Sequence, residues 1–137
     1  LTVCELIAGE RSEPINYKVK RIYEPPSPED GVRILVDRLW PRGISKEQAS
    51  LDEWMKEIAP SPELRKWFCH QPERFAEFTR RYELELSEDP TRCRLVDRIW
   101  ELASEKNVTL VYAAKDPVHN HAIVLQQWLN RRLHSDG

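Results

Sequence analysis

The sequence predicts a single α/β domain, a small and mostly parallel sheet with helices packed on it, and three observations carry that reading. The segment Val108 to Ala113 is apolar on both faces, as a central strand covered by helices must be. Two stretches ahead of it and one behind it repeat apolar residues at helical spacing. The chain of 137 residues is also long enough for one core that buries roughly two thirds of the unfolded surface. The domain is expected over residues 17–133, with 1–16 as an N-terminal extension and 134–137 as a C-terminal tail.

The extension has a short apolar patch, Leu6-Ile7-Ala8, ended by Gly9, that would pair at a sheet edge or stay mobile. From Tyr17 to Tyr23 the side chains alternate as in a strand, and the Pro-rich run Glu24 to Gly31 must be a loop. A second strand, Val32 to Arg38, follows. Ser45 with Gln48 and Ser50 with Glu53 both have capping-box spacing. Leu51, Trp54, Met55 and Ile58 then recur at helical spacing, so Leu51 to Ile58 reads as a short helix, with an extended segment as the alternative. Ser61 is an N-cap, with Pro62 at the first helical position of a helix running through Glu63 to Phe68.

Pro72 opens a helix whose apolar stripe is Phe75, Phe78, Tyr82 and Leu86. Asp89-Pro90 ends it and caps the next helix, Thr91 to Lys106, which turns Leu95, Val96, Ile99, Leu102 and Ala103 inward before a stop at Asn107. After strand Val108 to Ala113 comes a Lys115-Asp116-Pro117 turn and a last helix from about His119 to Leu133.

Composition narrows the function classes. Charged residues are 32% of the chain, yet 21 basic and 23 acidic side chains nearly cancel to a net charge of -2, so no global field draws it to nucleic acid or an anionic membrane. The longest nearly continuous apolar segment, Val108 to Ala114, is far below the roughly 20 residues that cross a bilayer, and the N-terminal residues lack a signal-peptide pattern. A cytoplasmic location is the expectation. Cys4, Cys69 and Cys93 are odd in number and widely spaced, which suggests neither a disulfide framework nor a zinc cage.

The most informative stretch is Asp37-Arg38-Leu39-Trp40-Pro41-Arg42-Gly43, which closes the second strand with two guanidiniums and an indole. A strand needs only a polar turn to end, so this concentration of charge and aromatic surface marks a site, and the guanidiniums point to an anion. In an open α/β sheet, ligands sit outside the carboxyl ends of the strands, where helix N-termini carry partial positive charge. If Val32 to Asp37 and Val108 to Ala113 are parallel neighbours, Arg38, Trp40 and Arg42 meet Lys115, Asp116, His119, Asn120 and His121 around one space. The alternative is that Arg38 and Arg42 merely pair with Asp37 and nearby glutamates, that Trp40 is a core or pocket wall, and that Asp116 caps a helix.

A metal reading of Asp116, His119 and His121 is disfavoured, because residues two apart project about 200° from each other on a helix. Cys69 beside His70 invites a nucleophile, but it lies at a helix C-terminal end, where the dipole disfavours thiolate. His70 itself is a candidate proton carrier, with a helix C-cap as its structural alternative.

Together, Val19-Lys20-Arg21-Ile22-Tyr23, the Asp37 to Gly43 motif, Leu64-Arg65-Lys66-Trp67-Phe68 with His70, and Tyr112-Ala113-Ala114-Lys115-Asp116 followed by Asn120-His121-Ala122 resemble the YeaO-like branch of a bacterial and archaeal domain-of-unknown-function family. The resemblance runs from about Tyr17 to Leu129 and implies an α/β layered sheet, with room for Leu51 to Glu57 as an extra strand. It implies no activity, since the family has none established. Family members commonly have glycine where this chain has Cys69. Related branches carry a cysteine near the end of the last strand and Cys-His-Arg at the final helix start, where this chain has Tyr112-Ala113-Ala114 and His119-Asn120-His121. Thiol chemistry is therefore not implied for it.

The leading expectation is a small α/β enzyme or ligand-binding protein for an anionic small molecule bearing phosphate or carboxylate. Arg38 and Arg42 would hold the anion with Trp40 and Asn120 beside it, Lys115 would stabilise developing charge, and His70, Asp116 or His121 would move protons. The rival is a module for nucleotides or single-stranded nucleic acid in which Trp40 and Trp67 stack on bases. A regulatory or oligomerisation domain without a ligand is the third reading. No motif names a metal, a cofactor or an oligomeric state.

Overall fold

The computed structural model describes residues 17–136. Four strands, β1 (Tyr17–Arg21), β2 (Val32–Leu35), β3 (Glu53–Trp54) and β4 (Val108–Tyr112), form one sheet in the order β1-β4-β2-β3, and every pair is parallel. The helices are α1 (Lys46–Ala49), α2 (Pro62–Phe68), α3 (Phe75–Glu88), α4 (Pro90–Ala103) and α5 (His121–Asp136). The expected extension, residues 1–16, lies outside the described residues.

β4 is buried along its whole length, which is why it reads as apolar on both faces. Val32, Ile34, Val108, Leu110 and Tyr112 face the main core, formed with Phe78, Tyr82 and Leu86 of α3, Val96 and Ile99 of α4, and Val124, Leu125 and Leu129 of α5. The opposite face is thinner. There Ile22, Leu35, Ala49 and Val111 make a small cluster, lined by Trp40, Ile44 and Leu51.

Part of that second face is ionic. Arg33, on β2, is buried, and its guanidinium donates to Ala49 O (2.9 Å) and to Asp30 Oδ2 (2.6 Å). Asp30 is fully buried and also accepts from Lys18 Nζ (3.1 Å) and Lys20 Nζ. Burial alone would push its carboxyl up, but the hydrogen bonds from Lys20, Lys18, Ser27 N–H and Arg33 hold it well below the usual carboxylate range. Arg33 thereby ties α1 to the sheet through the carbonyls that end that helix. Beside it, Gly31 has φ 65°, and a Cβ there would stand 2.2 Å from Asn107 O, so only glycine lets β2 start against β4.

Several elements follow their sequence signals. Ser61 Oγ accepts from Leu64 N–H at the start of α2, and Asp89 caps α4. The Ser45–Gln48 capping box is present and opens α1. The helix expected over Leu51 to Ile58 is not formed. Ser50 is left-handed (φ 48°) and ends α1, then the chain runs extended as β3 before a 3-10 turn at Lys56–Ile58. Tertiary pairing decides this: Asp52 N–H donates to Arg33 O (2.9 Å), Met55 N–H to Leu35 O (2.9 Å), and Arg33 N–H to Asp52 Oδ2 (2.8 Å). A helix would leave the outer edge of β2 without these partners. Other differences are at boundaries. β2 stops at Leu35, α4 at Ala103, Pro72–Arg74 is a 3-10 turn ahead of α3, and α5 begins at His121.

Candidate functional site

β2 and β4 are parallel neighbours, with Val32 opposite Val108 and Leu35 opposite Val111, so their carboxyl ends open side by side. Asp37 joins the two ends: its Oδ2 accepts from Ala113 N–H (3.0 Å). Its Oδ1 lies 3.1 Å from His121 Nε2, while the proton of that nitrogen goes to Val36 O at 2.9 Å. His121, the first residue of α5, is thus fixed as the Nε2–H tautomer when neutral, with its ring edge-on to Tyr82.

The loop after β2 is held from below. Trp40 Nε1–H donates to Ile44 O (2.7 Å), Trp54 Nε1–H to Asp37 O (2.7 Å), and the two indoles meet edge-on at 5.4 Å. Tyr23 donates its hydroxyl to Arg42 O (3.2 Å), and Gly43 completes the turn at φ 79°. Backbone and indoles being occupied in this way, Arg38 and Arg42 are presented with guanidiniums that bond to no described residue; Arg38 Nε is buried and unpartnered.

After β4, Ala113 and Ala114 give their carbonyls to the Arg21 guanidinium. Asp116 closes the next turn. Its Oδ1 accepts from Val118 N–H and His119 N–H, and its Oδ2 from His119 Nδ1–H (2.9 Å). The His119 N–H, the Val118 N–H and then the His119 ring pull this carboxyl down to about 2. His119, so oriented, carries its lone pair on Nε2 when neutral, and packs edge-on against Phe75 at 5.2 Å. Asn120 is the α5 N-cap: Oδ1 accepts from Ile123 N–H (3.0 Å) and Nδ2–H donates to Asp116 O.

The third wall is α2. Leu64 and Phe68 pack into the core, Phe68 also bordering the cavity, and Arg65 and Lys66 are turned outward at the cavity. The helix then ends through two successive left-handed residues, Cys69 (φ 50°) and His70 (φ 55°). That conformation suits glycine better than cysteine or histidine.

These walls enclose a cavity of about 680 Å³. Of the residues expected at the site, Arg38, Trp40, Arg42, His70, Asn120 and His121 line it. Lys115 and Asp116 do not: Lys115 is exposed in the turn that Asp116 closes, and Asp116 acts on the cavity through His119. The cavity also takes in the cations Arg65 and Lys66 and the imidazole of His119, to which the sequence assigns no binding or proton-transfer role. The spacing Asp116-x-x-His119 and the outward face of α2 carry the signals that mark them. Among the described residues no group of three or more His, Cys, Asp or Glu is placed to hold a metal ion. His119 and His121 are instead committed to different partners, Asp116 and Val36 O. No helix of the described residues is long and apolar enough to cross a membrane.

The profile of a family described as "Inactive DUF488-N3 subclade" matches residues 16–137. Among curated proteins, the chain is 46% identical over 115 residues to the uncharacterized protein YeaO of Escherichia coli (strain K12), spanning 84% of this chain and 97% of that protein. It is 45% identical over 115 residues to the uncharacterized protein Rv3073c of Mycobacterium tuberculosis (strain ATCC 25618 / H37Rv), spanning 84% of this chain and 94% of that protein. The uncharacterized protein Mb3100c of Mycobacterium bovis matches to the same extent. No solved structure matches the chain significantly.

Proposed function

Because the chain belongs to the inactive DUF488-N3 subclade, we propose that it is a binding protein for an anionic small molecule, held between the loop after β2, helix α2 and the start of α5. One observation carries the reading. Arg38, Arg42, Arg65 and Lys66 line the cavity without an ion pair to any described residue, whereas Arg33, Arg80, Arg92 and Arg98 pair with carboxylates elsewhere. Asp37 is the one carboxylate among the described lining residues, and it is engaged with Ala113 N–H and His121. The cations are therefore not balanced locally, and a bound anion is what such a group stabilises. The N-terminus of α5 adds its partial positive charge at the same wall.

The subclade's description as inactive favours binding over turnover. The imidazoles of His119 and His121 are oriented as hydrogen-bonding groups rather than as partners of a nucleophile. Base stacking on the tryptophans is less favoured. Trp67 has the guanidiniums of Arg81 (4.5 Å) and Arg74 (5.5 Å) over its ring, and Trp40 is tied to its own loop.

A thermal-shift comparison of wild type with Arg42→Ala and Lys115→Ala tests the reading against phosphates, sugar phosphates, nucleotides and carboxylates. Selective binding at a hundredfold excess over Kd stabilises the native state by about 2.7 kcal/mol. Wild type and Lys115→Ala are expected to shift with one ligand class and Arg42→Ala is not. An equal shift in all three proteins would move the anion out of this cavity, and no shift in any would end the proposal.

A further inference from the structure

Resting on the anion-binding reading, the structure assigns the ligand to a narrower class: a phosphomonoester carrying a flat apolar body, rather than a bare anion or a simple carboxylate. The first ground is charge. Against the single carboxylate of Asp37, the cavity wall sets the four cations Arg38, Arg42, Arg65 and Lys66, an excess of three without counting the imidazoles. A carboxylate brings one negative charge to that excess, whereas a phosphomonoester brings about 1.5 to 2 at neutral pH, with three acceptor oxygens. Arginine's planar fork matches those oxygens in pairs, and lysine adds a point charge.

The second ground is the apolar part of the cavity wall. Phe68 and Phe78 line the cavity together with Ala59, Pro60 and Leu39. The two phenyl rings are stacked at 4.4 Å, and Phe75 joins them at 6.0 Å from Phe68 and 5.9 Å from Phe78, so they form one rigid aromatic block. Leu39 is 67% exposed at the cavity, where a ligand's apolar body would cover it. Inorganic phosphate would meet only the cations and leave Leu39 exposed. A volume of about 680 Å³ also lies well inside the range, roughly 300–1,000 Å³, of sites that enclose a whole organic molecule.

Isothermal titration of the full chain with phenyl phosphate, inorganic phosphate and benzoate separates the grounds. Phenyl phosphate is expected to bind at least about tenfold more tightly than either of the others, the size of step that one good extra contact supplies. Lys66→Ala, an exposed substitution that leaves the core untouched, should weaken phenyl phosphate about fivefold or more and benzoate less, since the second charge is what Lys66 meets. Arg80→Ala, on the outer surface of α3, should change neither. Equal affinity for inorganic and phenyl phosphate would overturn the flat-body assignment while the anion reading stands. Equal affinity for benzoate and phenyl phosphate would overturn the phosphate assignment alone. Failure of all three to bind would bring down both.

Discussion

Replacing Asp30 by asparagine removes one charge and almost no volume, so the loss of stability it causes measures what the buried ionic cluster is worth. Asp30 is fully buried, and Arg33, 3% exposed, donates to it at 2.6 Å. With an amide in place of the carboxylate, Arg33 keeps Ala49 O and Ser50 O but loses its counter-charge inside the protein. Breaking a buried pair from one side typically costs about 3–5 kcal/mol, a large share of the roughly 5–15 kcal/mol that holds a domain together. Urea unfolding at neutral pH, followed by circular dichroism, should show it: with a slope near 2 kcal/mol per molar, the midpoint falls by roughly 2 M. Adding Arg33→Met to Asp30→Asn should restore part of the loss, because the orphaned cation is then gone. The sign of the pH dependence follows from the depressed carboxyl. The folded value lies below the ordinary 3.8, so the stability it brings is complete above that value and is lost as pH falls toward the folded one. Wild type should therefore lose stability below about pH 4, and Asp30→Asn should lack its share of that slope. A cost under about 1 kcal/mol, or a double variant no better than the single, would refute the reasoning.

Two further substitutions probe the frame of the cavity. Cys69→Gly should stabilise the protein by about 0.5–1 kcal/mol, because it relieves a left-handed residue at φ 50°; the readout is a melting temperature raised by about 2–4 °C, and no gain would mean the turn is unstrained. Tyr82→Phe deletes a buried hydroxyl that donates to Ile58 O at 2.6 Å and should cost about 1–3 kcal/mol in chemical denaturation. An unchanged midpoint there would show that Ile58 O finds another donor.

How far the fold is legible depends on whether local signals and tertiary partners agree. β4 announces itself because burial on both faces leaves no room for polar residues, and α2 because Ser61 and Pro62 specify a helix start from four neighbouring residues. The stretch from Leu51 to Ile58 misleads for a physical reason. Its apolar spacing is real, since Met55 and Ile58 are buried, but its backbone is claimed by Arg33 and Leu35 some twenty positions earlier, which no local window contains. At the site, the Asp37 to Gly43 motif is visible because charge and indoles are costly ways to end a strand. Lys115 looks equivalent in sequence, yet the Asp116 turn leaves it exposed and outside the cavity. Arg65 and Lys66 look like ordinary solvent-facing residues until the inward pair Leu64 and Phe68 fixes which side of α2 meets the cavity. For His119, the carboxylate three residues before it is the sign of an oriented imidazole.

The unequal thickness of the two sheet faces divides the domain into parts that open at different free energies. The face carrying α3, α4 and α5 holds the large core, while the other rests on Ile22, Leu35, Ala49 and Val111, a four-residue helix and a two-residue edge strand. Backbone amides from α1 through β3 can therefore exchange with solvent by sub-global opening, without the main core coming apart. Trp40, Ile44 and Leu51 belong to that thin layer, so the segment bearing Arg38 and Arg42 moves with the low-stability unit. The α5 end of the same cavity is built on the high-stability one. Ligand held across both would tie the weak unit to the strong and slow its exchange, coupling occupancy to the breathing of one sheet face.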